Sequence, residues 1–178
     1  MTLGVIPRML FIACLLFPTL GSAQDRPTST PGFTEAQIKA AFVMHLTSFI
    51  GWPDGAQPTQ ICLAEQDAVF EALDMLLDSK PGSGLTLRLA EQHPEKADCD
   101  IVYFNGDAAI EDRAAVPSAV LLIGDREGFA SQGGMVEFRR APSRIQLIIN
   151  SEALKTSGFV ASSRLLTLAQ VIDGEDTP

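Results

Sequence analysis

From Thr34 onward, apolar residues recur at helical spacing. Ile38, Phe42, His45, Leu46 and Phe49 fall on one stripe, and Thr34 with Gln37 forms a capping box ahead of them. The pattern predicts a first helix that stops near Gly51, because Pro53 disfavours helix at Trp52. A short apolar strand follows at Ile61–Ala64. Val69, Phe70, Leu73, Leu76 and Leu77 mark a second amphipathic helix with Asp67 as N-cap. After the turn Pro81-Gly82-Ser83-Gly84, Leu85, Leu87 and Leu89 alternate with Thr86 and Arg88, as in a half-buried strand.

Ile101–Phe104 and Ala119–Ile123 are continuous apolar runs, read as buried strands, and Ala108–Ala115 between them is a short helix candidate. A glycine-rich loop, Gly124–Gly134, leads to Met135–Arg139 and Ile145–Ile149, two strands joined as a hairpin by Ala141-Pro142-Ser143. Ser151–Thr156 reads as a helical turn closed by Gly158. Ser162 or Ser163 caps a last helix with Leu165, Leu168, Ala169 and Ile172 on one face, and 174–178 is a frayed end. The expected fold is a single α/β domain over 34–173, a mixed β-sheet with helices on both faces. Phe42, Phe70, Leu73, Val102, Leu122, Ile148 and Leu168 are expected in its core.

The first 33 residues follow a different pattern. Arg8 precedes the apolar run Met9–Leu20, and Gly21-Ser22-Ala23 supplies the small residues of a cleavage site. Residues 1–23 are expected to be a secretory signal peptide, with 24–33 a disordered leader. An uncleaved anchor is disfavoured because Pro18 and Gly21 interrupt the run. A lipid-attachment box at Ile12-Ala13-Cys14 leaves too short an apolar run ahead of the cysteine. Removing 23 of the 178 residues leaves 155, and losing Arg8 moves the net charge from −9 to −10. Such an acidic chain repels phosphate backbones, so nucleic acid is not an expected partner.

Candidate chemistry is sparse. Cys62 and Cys99 remain after processing, and an even count in an oxidising compartment favours a disulfide, with two buried free thiols as the alternative. His45 lies on the apolar stripe, read as a core or interface histidine, and His93 sits in a charged turn. No HExxH, CxxC or G-x-S-x-G spacing occurs, and no metal, cofactor or catalytic residue is expected. The loop Gly124–Met135 lacks the Gly-Lys-Ser/Thr ending of a phosphate loop, and Asp125 and Glu127 would repel an anion. It reads equally well as a strand connection that needs glycine.

Five ordered motifs carry a family resemblance. They are Lys39-Ala40-Ala41-Phe42-Val43 with Phe49-Ile50-Gly51-Trp52-Pro53; Ile61-Cys62-Leu63 with Phe70 and Leu73; Cys99-Asp100-Ile101-Val102-Tyr103-Phe104; Gly128-Phe129-Ala130 with Gly133-Gly134-Met135; and Ile149-Asn150 with Ala153, Gly158, Ser162 or Ser163, Leu165-Leu166 and Leu168-Ala169. In this order they resemble the YfiR-like periplasmic regulators. The resemblance implies a non-enzymatic periplasmic inhibitor. Its partner would be the periplasmic part of a membrane diguanylate cyclase or a similar sensor, and an outer-membrane lipoprotein could draw it away. A homodimer is a further expected assembly.

The resemblance also carries the family's disulfide between the first core strand and the strand of the third motif onto Cys62 and Cys99. A second cysteine pair near the Gly-Gly-Met loop has no counterpart here, and Met44, His45 and Ser48 depart from the family's Tyr, Asn and basic residue. Expected partner- or ligand-binding positions are Phe49, Trp52, Asp125, Gly128, Phe129, Gly133, Gly134, Met135 and Arg164. A different class of function, a periplasmic binder of small hydrophobic ligands uncoupled from any cyclase, fits the same residues.

Overall fold

The computed structural model describes residues 32–90, 98–107 and 116–174. The expected signal peptide, most of the expected leader, His93, the helix candidate at Ala108–Ala115 and most of the expected frayed end lie outside them.

Thr34 caps α1 (Glu35–Phe49): its hydroxyl accepts from the Gln37 N–H, and the Gln37 side chain accepts from the Thr34 N–H. The chain then passes through β1 (Ile50–Gly51), β2 (Gln60–Leu63), α2 (Ala68–Asp78), β3 (Thr86–Leu89), β4 (Ile101–Phe104) and β5 (Leu121–Gly124). The remainder is β6 (Val136–Ala141), β7 (Arg144–Asn150), α3 (Ser151–Thr156), β8 (Val160–Ala161), α4 (Ser163–Leu168) and β9 (Gln170–Ile172). Seven strands form one sheet in the order β3-β2-β4-β5-β6-β7-β9. Every neighbouring pair is parallel except β6 with β7, the hairpin expected from sequence. Ala141 pairs Arg144, so Pro142 and Ser143 alone make the turn.

All four residues of β4 and of β5 are buried. Successive strand side chains point to opposite faces, so both faces of the sheet centre are covered. β2 is clamped to β4 at both ends. The Asp100 carboxylate accepts from the Thr59 and Gln60 N–H groups at 2.7 and 2.9 Å. Asn105, fully buried, accepts from the Glu65 N–H and donates to the Glu65 carbonyl, both at 2.9 Å. Cys62 and Cys99 are bridged beside the first clamp, with Cα atoms 6.0 Å apart, within the usual disulfide range. Two free thiols are thereby excluded.

Three expectations need correction. The face of α1 turned to the core is Lys39, Ala40, Val43 and Leu46. Ile38, Phe42 and Phe49 are half-buried and His45 is exposed. Lys39 can face inward because acidic partners meet it there, and this rotates the helix away from the purely apolar stripe. The last helix is short: α4 ends at Leu168, and Gln170–Ile172 instead pairs in parallel with β7 as an edge strand. Leu168 is consequently 76% exposed rather than core. Phe70 is half-buried, while Leu73, Val102, Leu122 and Ile148 are buried as expected.

Candidate functional site

Trp52-Pro53 ends the α1 exit, and β8 holds it in place. Ile50–Gly51 pairs antiparallel with Val160–Ala161, and the Ser162 N–H donates to the Phe49 carbonyl at 2.9 Å. Gly158 enables this return. It follows α3 with φ +80°, a left-handed conformation that closes the helix and turns the chain toward β8. The Trp52 ring meets Phe159 edge-on at 5.1 Å, while its indole N–H donates to the Thr47 carbonyl at 3.4 Å.

Ser162 caps α4 by accepting from the Leu165 N–H, and this places Arg164 over the Phe49 ring, 5.8 Å from its centroid. The guanidinium is attracted by the ring's negative face. Phe49, Trp52 and Arg164, three of the expected binding positions, thus gather on one small ribbon. Val160 and Leu168 stand exposed beside them, at 68% and 76%. An open groove of 660 Å³ runs past Phe42, Phe49, Ile145, Arg164 and Leu168. A second, of 830 Å³, lies by Trp52, Pro58, Leu85 and Val160.

The glycine-rich loop lies elsewhere and is organised from within. Phe129, Gly134 and Met135 are buried, and Phe129 packs on Phe104 with ring centroids 5.4 Å apart. Gly124 and Gly134 make room for that ring: a Cβ on either would lie 2.5 or 2.2 Å from it. The Ala130 peptide is held on both sides, its N–H donating to buried Glu137 at 3.0 Å and its carbonyl accepting from Asn150 at 2.8 Å. Glu137 is balanced by Arg139 at 2.9 Å. Gly128 and Gly133 are half-buried at the loop's bends, with φ of +80° and +96°. The loop therefore keeps the Phe129 and Met135 side chains inside, while Glu127 and Gln132 are its exposed residues.

Asp125 is likewise engaged inside the fold. Its Oδ2 accepts from Lys39 Nζ at 2.7 Å and from the Tyr103 hydroxyl at 2.9 Å. Lys39 also pairs with Glu35 at 2.9 Å, and Glu35 with Arg140. Burial disfavours the Lys39 ammonium, but its hydrogen bonds to Asp125 and Glu35 and their charges outweigh this and lift its pKa above the ordinary lysine value. The hydrogen bond from Arg140 is the main influence on Glu35. Burial opposes it, Lys39 adds to it, and the net result is a pKa below the ordinary carboxylate value. Burial first, then the charge of Asp125 and the bond to it, pushes the Tyr103 phenol far above its usual range. Sequence reading missed Lys39 and Tyr103, since a lysine beside an apolar stripe carries no signal of burial. Among the described residues, no group of three or more His, Cys, Asp or Glu is placed to hold a metal.

The family model for YfiR/HmsC-like proteins matches residues 36–170. The chain belongs to the YfiR/HmsC-like family. No curated protein matches it. Among solved structures, it is similar to an ABC domain from Streptococcus pneumonia in complex with L-Trp. The identity is 12%, the TM-score 0.50, and 77% of this chain and 60% of that one are covered. It is similar also to a conserved domain protein from Vibrio cholerae, at 12% identity and TM-score 0.49, covering 78% and 60%. The chain thus spans 60% of the length of each, and the first likeness bears on the fold alone. The family match runs from the second residue of α1 to the first residue of β9, so the Phe49–Arg164 ribbon and the Phe129 loop both lie inside it.

Proposed function

We propose that this YfiR/HmsC-like protein is a non-enzymatic periplasmic regulator. It binds and represses the periplasmic part of a membrane-bound diguanylate cyclase and so lowers cyclic-di-GMP signalling. The observation that carries this reading is the family match over residues 36–170. The ribbon at the end of α1 fits a binding role. It joins two half-buried aromatics, Phe49 and Trp52, to the exposed cation Arg164, with two exposed aliphatic side chains beside them, and aromatic and arginine side chains are those enriched at recognition surfaces. No helix among the described residues is long and apolar enough to cross a membrane. In this reading the domain meets the cyclase after export through the signal peptide expected at residues 1–23.

Deleting the gene should raise cyclic-di-GMP and adhesion and lower motility. A pull-down from membranes with the mature protein should recover a cyclase. Unchanged nucleotide levels with no cyclase captured would sink the reading.

The second reading, a binder of small hydrophobic ligands, is favoured by the groove beside Phe42, Phe49 and Leu168. Its 660 Å³ lies within the range of about 300–1,000 Å³ common for ligand sites. A ligand that co-purifies while no protein partner does would decide for it.

A further inference from the structure

A groove of 710 Å³ runs between α1 and α2, meeting the groove beside Phe49 at Phe42 and His45. Ile38, Ala41 and Phe42 form one wall, and Ala72, Met75 and Leu76 form the other. Phe33, just before α1, lines the groove and is 82% exposed, and Met75 is 69% exposed. Two large apolar side chains held in water beside an apolar groove mark a place where something docks. Among the described residues, Glu71 is the one charged side chain lining the groove, and exposed Asp74 and Asp78 follow it along α2. Spacings of three and four residues keep these carboxylates on one flank.

We propose that this groove receives an amphipathic helix of a partner protein, its apolar face against Phe33, Phe42 and Met75 and its basic residues against Glu71, Asp74 and Asp78. The proposal rests on the reading of the protein as a binding regulator and specifies the surface and the chemistry of the partner. Charge selects the occupant. A second copy would bring the same acidic flank against itself on a chain of net charge −9, and an anionic membrane would be repelled in the same way. The chain's own residues 24–32, Gln-Asp-Arg-Pro-Thr-Ser-Thr-Pro-Gly, hold no large apolar side chain to fill the groove. Shape selects a helix. Both walls are helices whose backbone groups are already bonded, so an extended peptide would find no strand edge, whereas an apolar helical face fits a groove lined by side chains.

The test uses the purified protein and labelled peptides of about 18 residues, or five helical turns. One is a leucine/lysine helix with every leucine on one face, another has the same composition scrambled, and the third replaces lysine with glutamate. The patterned lysine peptide should bind about tenfold or more tighter than either control. Phe33→Gln with Met75→Gln should cost that peptide about tenfold in affinity at an unchanged melting temperature. Glu71→Gln with Asp74→Asn and Asp78→Asn should weaken binding and flatten its salt dependence. Equal binding of the scrambled peptide, or no effect of the Phe33 and Met75 changes, would mean diffuse attraction to an acidic surface and would overturn the proposal.

In cells, a photo-crosslinking residue at Met75 should capture a partner segment with basic residues at helical spacing. Capture of a second copy, or of the chain's own residues 1–31, overturns it as well. Crosslinks from Leu168 but none from Met75 would leave the regulator reading standing and remove this groove. Silence at both positions would remove both.

Discussion

The ring of Phe129 lies so close over Gly134 that a Cβ there would stand 2.2 Å from its Cδ1 and Cε1, and 2.7 Å from the Phe129 carbonyl oxygen. Gly134→Ala therefore forces backbone as well as a ring to move. We expect it to cost about 1–3 kcal/mol or more, the range for overpacked cores. Gly32→Ala, where a Cβ meets nothing within 4 Å, serves as the control and should be close to neutral. Denaturant midpoints of the two variants measure the difference. Equal midpoints would show that the loop repacks freely.

The Cys62–Cys99 bridge closes a separation of 37 residues. On the chain-entropy model such a loop is worth about 4 kcal/mol. Cys62→Ser and Cys99→Ser should each lower the melting temperature strongly and by similar amounts, since either removes the same crosslink. The double variant should be little worse than either. If mild reductant changes partner binding while the melting temperature stays put, the bond serves as a switch instead.

Lys39 and Asp125 have side chains only 11% and 9% exposed, so removing one leaves the other buried with a single partner, Glu35 for Lys39 and the Tyr103 hydroxyl for Asp125. Asp125→Asn or Lys39→Met should cost less than the roughly 3–5 kcal/mol of a fully uncompensated buried charge, on the order of 1–3 kcal/mol. Lys39→Met with Asp125→Leu should recover part of that loss. A double-mutant cycle by chemical denaturation tests this, and strict additivity would show that the pair is not coupled.

The same network sets the pH limits of stability. Glu35 has a lowered pKa in the folded state, so its contribution is present above its unfolded value of about 4.3 and lost as pH falls through the folded value. Lys39 and Tyr103 have raised pKa values. Their contributions are present below the unfolded values of about 10 and are lost as pH rises beyond them. Stability should be flat between about pH 5 and 9 with respect to these groups and fall on either side. Glu35→Gln should flatten the acid limb and Tyr103→Phe the alkaline limb. Unaltered limbs in both variants would remove the network from the account.

Leu168 and Arg164 are exposed, and Arg164 reaches the half-buried Phe49 ring, so Leu168→Glu should change stability by no more than about 0.5 kcal/mol and Arg164→Glu by no more than about 1 kcal/mol. If the ribbon is the binding face, capture of the membrane partner should fall about tenfold in either variant. Trp52 is the chain's one tryptophan and packs at that ribbon, so its fluorescence reports partner or ligand binding directly. Full capture by both variants would place the contact elsewhere.

Where the signal was local, the sequence alone determined the element. The Thr34–Gln37 box, the Asp67 cap, the unbroken apolar runs of β4 and β5 and the Pro142-Ser143 turn each depend on residues within a few positions of one another. The bridged cysteines were legible because the third cysteine, Cys14, falls in the expected signal peptide, which leaves Cys62 and Cys99 as a pair. What needed the tertiary structure depends on partners far along the chain. Lys39 faces inward because Asp125, 86 positions away, meets its charge. Gln170–Ile172 leaves the helical pattern because β7 offers an open edge, and hydrogen bonds to a neighbouring strand outweigh the weak preference of three residues for helix. Phe129 turns inward because two glycines ten residues apart leave space for its ring. The Phe49–Trp52–Arg164 ribbon exists only because β1 finds β8 more than a hundred residues later, as its register shows. Composition and spacing identify such side chains, but only the folded chain puts them side by side.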